Sequence, residues 1–237
     1  SHKVRLMFYK KLKLFLIIFL LYQIPLYSKS TTFNAIDSKN LSKYFSGIVA
    51  FGNKDNSTAL EFFSSSKILI YNHDPYLEKY VNSLVLENKV SQAISLIQNN
   101  KDKKNINFFD ANLLLILDSL KKSDFNKADV YLQNIRKTSS PDRFNSAIVE
   151  SLKQYIYVFK YKKFLKDKKN LGKLTLITET FQKCYLSDIQ TDNYFSNLIN
   201  DNDGDYSRYI YFYLSFLVEN NRIEDAKKIT DNLEFTD

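Results

Sequence analysis

One phrase recurs along this chain at a spacing of about 34 residues, and that spacing restricts the fold more than any other feature. Asn53-Lys54-Asp55 leads to Ala59 and then Phe63. Asn88-Lys89 leads to Ala93 and Ile97, and Ser123-Asp124 leads to Ala128 and Leu132. Near the end, Asn220-Asn221-Arg222 leads to Ala226. A period of this length fits a unit of two helices joined by a turn. One such pair cannot bury both apolar faces, so its neighbours must cover them. A recurrent alanine has a steric reading: two helices approach closely there, and a larger side chain would push them apart. The polar dipeptide before it ends the first helix of each pair. The residue three before the alanine is Asn56, Val90, Phe125 or Ile223, apolar in three of the four units. It is expected to pack back against the preceding helix.

Composition supports helices. The chain has only four glycines and three prolines, against many leucines, isoleucines, phenylalanines and tyrosines at helical spacing. No stretch alternates as a strand would. Helices are expected at 41–52, 56–70, 75–87, 90–98, 108–121 and 125–136. Others follow from 142 and at 172–185, 190–199, 206–219 and 222–233. Ser38 or Asn40 is expected to cap the first. Asp74-Pro75 and Ser140-Pro141 read as start signals, a polar cap followed by proline at the first helical position.

Taken together, these residues resemble the tetratricopeptide repeat family. Members have a small residue in the middle of the first helix, an alanine early in the second and an aromatic four positions later. Unit one offers Gly47, Ala59, Phe63 and Ser66. Unit two offers Leu77, Tyr80, Leu84, Ala93 and Ile97, with Val81 where the family has a small residue. Unit three offers Leu115, Phe125, Ala128 and Leu132, and the terminal unit Tyr213, Leu217, Ile223 and Ala226. The resemblance covers 39–137 well and 205–235 less closely; 141–200 departs from it, and the family's tryptophan is missing throughout. It implies an all-α fold, a right-handed α-solenoid of stacked helix–turn–helix repeats over 41–237. Repeats would be clear over 41–137, degenerate over 141–200 and present again at 205–235, with the array continuing in a longer protein.

The same resemblance implies protein binding rather than catalysis. The first helix of each pair would line a concave surface, presenting Tyr44 and Ile48, then Glu78 and Asn82, then Asp110, Leu113 and Leu117. The lysine and asparagine clamp that some relatives use for a C-terminal carboxylate is absent at those places. The surface expected is mixed and partly apolar, suited to a protein or peptide partner.

The N-terminus reads as a secretory signal. Lys3, Arg5, Lys10, Lys11 and Lys13 precede the apolar run Leu14–Tyr22, and Ser28-Lys29-Ser30 follows. The run is short for a membrane span of about 20 residues. Residues 1–30 are expected to be removed, 31–40 to be a linker, and the setting to be the periplasm of a bacterial cell envelope. An uncleaved anchor is the alternative. The chain carries +8, but removing the six basic residues of 1–30 leaves 28 basic against 26 acidic, a net of +2. So small a net charge gives no field for a polyanion, and a nucleic-acid partner is not expected.

No catalytic constellation emerges. Beyond residues 1–30 the chain holds one histidine, His73, and one cysteine, Cys184. A thiol nucleophile needs a base beside it, and a zinc site needs spaced ligands. His73 reads as a turn residue and Cys184 as a small buried hydrophobe. Asp201-Asn202-Asp203-Gly204-Asp205 resembles part of a calcium loop, yet Ile199 and Ile210 would fall at its first and last ligand positions. It reads as a turn, and no metal, cofactor or enzymatic activity is expected. One patch stands out: Lys160, Lys162, Lys163, Lys166, Lys168, Lys169 and Lys173 against Asp167, interleaved with Tyr155, Tyr157, Phe159, Tyr161 and Phe164. A solvated helix end with core aromatics is the plain reading. The functional reading of the patch is binding of anionic lipid headgroups, or of single-stranded nucleic acid by stacking plus charge. The alternative function that follows is a membrane-anchored or membrane-surface protein whose Lys160–Lys173 patch binds anionic lipid.

Overall fold

The computed structural model describes residues 38–71, 73–102, 106–138, 142–200 and 207–231. The signal segment, most of the linker, Ser140-Pro141 and the Asp201–Asp205 turn lie outside them. The described residues form helices and turns, with no strand among them. Eleven α-helices follow in order: α1 (Ser38–Gly52), α2 (Asn56–Ser64), α3 (Asp74–Leu86), α4 (Val90–Gln98), α5 (Phe109–Lys121) and α6 (Phe125–Thr138), then α7 (Arg143–Tyr161), α8 (Lys173–Leu186), α9 (Thr191–Ile199), α10 (Ile210–Glu219) and α11 (Ile223–Asp231). Short 3-10 turns span Lys67–Tyr71 and Ser207–Tyr209.

Local chemistry moves some boundaries from their expected places. Helix α2 stops at Ser64 instead of running to Ile70. Ser64 Oγ donates to the Glu61 carbonyl at 2.9 Å, and Ser65 and Ser66 Oγ donate to that of Phe62 at 3.0 and 2.9 Å. Hydroxyls that bond these carbonyls compete with continued helix, and the chain tightens into the 3-10 turn. At α3 the cap position is His73, without a side-chain cap bond, and Asp74 is the first helical residue. At α7 Asp142 is the cap, its carboxylate accepting the Asn145 N–H at 2.6 Å.

Five inter-helix turns share one hydrogen-bond pattern. Lys54, Asn88, Ser123, Ser187 and Asn221 each adopt the left-handed conformation, with φ between 51° and 62°. Each donates its N–H to the carbonyl three residues back, and the next residue donates to the carbonyl five back. Thus Lys54 bonds Phe51 and Asp55 bonds Ala50, at 3.1 and 3.0 Å. Asn88 and Lys89, Ser123 and Asp124, Ser187 and Asp188, and Asn221 and Arg222 repeat the arrangement. This is the Schellman closure, which satisfies the last carbonyls of the helix it ends. Four of these turns are the polar dipeptides of the sequence phrase; the one at Ser187 falls in the stretch that departs from the pattern.

Packing follows the phrase. Ala59, Ala93 and Ala128 have no exposed surface, and Ala226 is buried. The residue three before each alanine behaves otherwise. Val90 and Ile223 are exposed, because each begins its helix and projects from the helix end. Phe125 is half-buried and packs on Phe159 of α7, ring centroids 6.1 Å apart. Consecutive helices contact one another through α1 to α9 and again from α9 to α11, and α1 also touches α3, as α3 touches α5. The buried apolar side chains form three clusters: one across α1–α5, one around Ile116, Ala128, Leu132, Ile135 and Ile156, and one around Phe195, Tyr213 and Leu217.

The junction of α7 and α8 differs from the rest. Ser151 hydrogen-bonds Thr178 at 3.0 Å, and Phe159 packs on Tyr185 at 4.7 Å. Residue numbers rise together on both helices, so they lie parallel. Helix α7 ends in left-handed Lys162, whose N–H bonds the Val158 carbonyl. The chain then returns through 163–172 without a helix. Ser151, Gln154, Thr178, Thr180 and Gln182 are buried polar side chains on these two helices.

Candidate partner-binding groove and basic surface

The first helices of the three N-terminal pairs are neighbours, and this brings the expected groove residues together two by two. Asn82 Nδ2 of α3 donates to Asp110 Oδ2 of α5 at 3.3 Å. Glu78 of α3 lies close enough to Tyr44 of α1 to act on its hydroxyl. Burial first, and the Glu78 charge second, push the Tyr44 pKa up.

The positions differ in exposure. Tyr44 is only 5% exposed and is a core residue. Its ring meets those of Phe45, Phe63, His73 and Tyr76, with the His73 centroid at 4.6 Å. Ile48, Glu78, Asn82, Asp110 and Leu113 are half-buried, and Leu117 is 49% exposed. Of the residues expected in the groove, Leu117 of α5 is the exposed one, and Ile48, the two carboxylates and Leu113 are partly covered.

His73 stands at the cap position of α3, without a side-chain cap bond, and packs edge-on against Tyr44. Cys184 is half-buried beside Phe181 and Phe195, and burial raises its thiol pKa, which keeps it protonated. Among the described residues no group of three or more histidine, cysteine, aspartate or glutamate side chains is placed to hold a metal ion. Among them, too, no helix is long and apolar enough to cross a membrane.

The basic residues fall on the end of α7 and the return stretch. Lys160, Lys162, Lys163, Lys166 and Lys169 are exposed, while Lys168 pairs with Glu179. The interleaved aromatics divide: Tyr155, Tyr157, Phe159 and Phe164 are half-buried, and Tyr161 stays out in solvent. Burial pushes the Tyr155 pKa up to about 12.

Two apolar surfaces escape the sequence reading. On α1, Phe45 and Val49 are exposed beside half-buried Phe62. On α10, Tyr211, Phe212 and Val218 are exposed. The signal for the first was present: α1 carries Leu41, Tyr44, Phe45, Ile48, Val49 and Phe51, more than one helical face holds.

No family model matches the chain, and no curated protein or solved structure matches it.

Proposed function

We propose that this chain is a non-enzymatic scaffold, a right-handed α-solenoid of tetratricopeptide-like helix pairs, that binds a protein or peptide along its first helices. The observation that supports the reading is the contact of α1 with α3 and of α3 with α5, which sets the first helices of three sequence-distant units beside one another. Helix-pair arrays use such rows of helices as binding surfaces. Glu78 and Asp110 favour basic groups on the partner, and Ile48, Leu113 and Leu117 favour apolar ones. The ligand is thus an apolar segment with interspersed lysine or arginine. Basic residues followed by the apolar run at the N-terminus support action outside the cytoplasm, in a bacterial cell envelope.

The test is crosslinking in the native envelope with tagged full-length protein, beside the double variant Leu113→Glu, Leu117→Glu. A partner captured by the natural chain and lost from the variant, at unchanged thermal stability, supports the reading. The same partners on both proteins would sink it. The intact mass of the bait is read in the same experiment. A chain starting near Thr31 supports export; an uncleaved chain recovered only with membranes, and with no partner, overturns both parts.

A further inference from the structure

The lysines from Lys160 to Lys169 stand out because so little neutralises them. Lys160, Lys162, Lys163 and Lys166 have no ion-pair partner among the described residues, and Asp167 is the one acid in the stretch. Lys169, on the return stretch, lies further back alongside α7, where it lines a cavity with Glu150. Two tyrosines lie among them at the surface, Tyr161 at 50% and Tyr185 at 42% exposure. Lys160 Nζ is 5.3 Å and Lys163 Nζ 5.9 Å from the Tyr161 ring centroid. Lys162 Nζ is 4.2 Å from that of Tyr185 and also bonds its hydroxyl. The parallel course of α7 and α8 creates this patch, since it sets both helix C-termini at one end and brings Tyr185 to Lys162. A negative helix end accounts for a lysine or two. It does not account for two exposed phenol rings held among them.

We infer that this face docks on an anionic lipid surface. Lysines close to a negatively charged leaflet each contribute about a fivefold gain in binding. Tyrosine suits the headgroup level, its ring in the apolar margin and its hydroxyl in water. The basic segment and apolar run at 14–22, read as an export signal or an anchor, are consistent with a chain that meets a membrane. Single-stranded nucleic acid fits less well. Stacking needs open ring faces, and lysine ammonium groups already stand over these two.

The experiment is flotation of the full chain with vesicles of phosphatidylcholine plus phosphatidylglycerol, against phosphatidylcholine alone. Expected are binding to the anionic vesicles only, loss of binding on raising salt from about 0.1 to about 1 M, and weakening on the order of hundredfold in K160Q/K162Q/K163Q. K160R/K162R/K163R should keep the binding, and Tyr161→Ser should weaken it severalfold. Equal binding of the glutamine variant and the natural chain would overturn the inference. So would equal binding to phosphatidylcholine alone, which would assign attachment to the 14–22 run. Tighter binding to a single-stranded oligonucleotide than to the vesicles would also overturn it. All the substituted side chains are exposed, and the salt dependence and the comparison of the two vesicle types on the natural chain decide the matter even if the glutamine variant is destabilised. Leu113→Glu, Leu117→Glu should float as the natural chain does, which keeps this test separate from the groove.

Discussion

Gly47 lies against the ring of Phe63, and a Cβ added there would stand 2.8 Å from Phe63 Cε1. The corresponding positions of the next two pairs hold Val81 with Ile97 and Ile116 with Leu132, all buried. As the first residue grows, the second shrinks from an aromatic ring to an aliphatic chain, which conserves the volume between the helices. Gly47→Ala should gain about 1 kcal/mol of helix propensity yet lose roughly 1–3 kcal/mol to overpacking. Net destabilisation is expected in urea unfolding, with recovery when Phe63→Leu is added; additive losses would refute the pairing. The left-handed turn residues allow a test of opposite sign. Lys54 and Ser123 hold positive φ without being glycine. Lys54→Gly and Ser123→Gly should each raise stability by about 0.5–1 kcal/mol, read as a higher urea midpoint.

Several helix starts depend on a carboxylate. Asp124 pairs with the Lys127 side chain at 2.8 Å and accepts its N–H at 3.1 Å, and these two bonds, in that order, hold its pKa below the ordinary value. Asp188 is lowered first by the Gln190 N–H at 2.9 Å and then by Lys183. Asp225 is lowered chiefly by Arg222. A depressed carboxylate pKa means stability that is present above the unfolded value of about 4 and lost as pH falls through the lower folded value. Thermal stability should therefore be flat from neutrality to about pH 5 and fall below about pH 4. The drop should be smaller in Asp124→Asn. Asp142 needs no ion pair to act, since it caps α7 through the Asn145 N–H. Asp142→Ala should cost about 1 kcal/mol in urea unfolding, whereas Asp142→Ser should cost less.

At the scale of the whole chain, the apolar clusters end at α7 and resume on α8. Between them lies the polar seam of Ser151, Gln154, Thr178 and Gln182, in which Gln154 Oε1 and Gln182 Nε2 have no partner. A seam with little apolar burial opens more readily than a core. Hydrogen exchange should show α8–α11 opening as a unit at lower free energy than α1–α6; uniform protection across α7 and α8 would refute this. Thr178→Val takes a partner from both the Ser151 and the Tyr155 hydroxyls and should cost roughly 1–3 kcal/mol, while adding Ser151→Ala and Tyr155→Phe should recover much of it.

Helix content, the period of the pairs and the places where the first helices end were legible in the sequence. Each depends on the local chain: apolar spacing, polar dipeptides and small residues whose meaning survives out of context. Even the alanines could be read as buried, because nothing but a close approach explains their recurrence. The burial of the residues proposed for the groove was legible only in part. Tyr44 and Leu117 are both apolar residues on first helices, yet one is enclosed by four aromatic rings and the other is open to solvent. What separates them is whether another element covers the residue, and that depends on partners distant in sequence. The same holds for α7 and α8. Nothing local to 162–172 shows that the chain returns without a helix and sets two helices parallel. That course depends on long-range contacts such as Ser151 with Thr178 and Phe159 with Tyr185, and through them the tertiary structure alone decided where the lysines and exposed tyrosines meet.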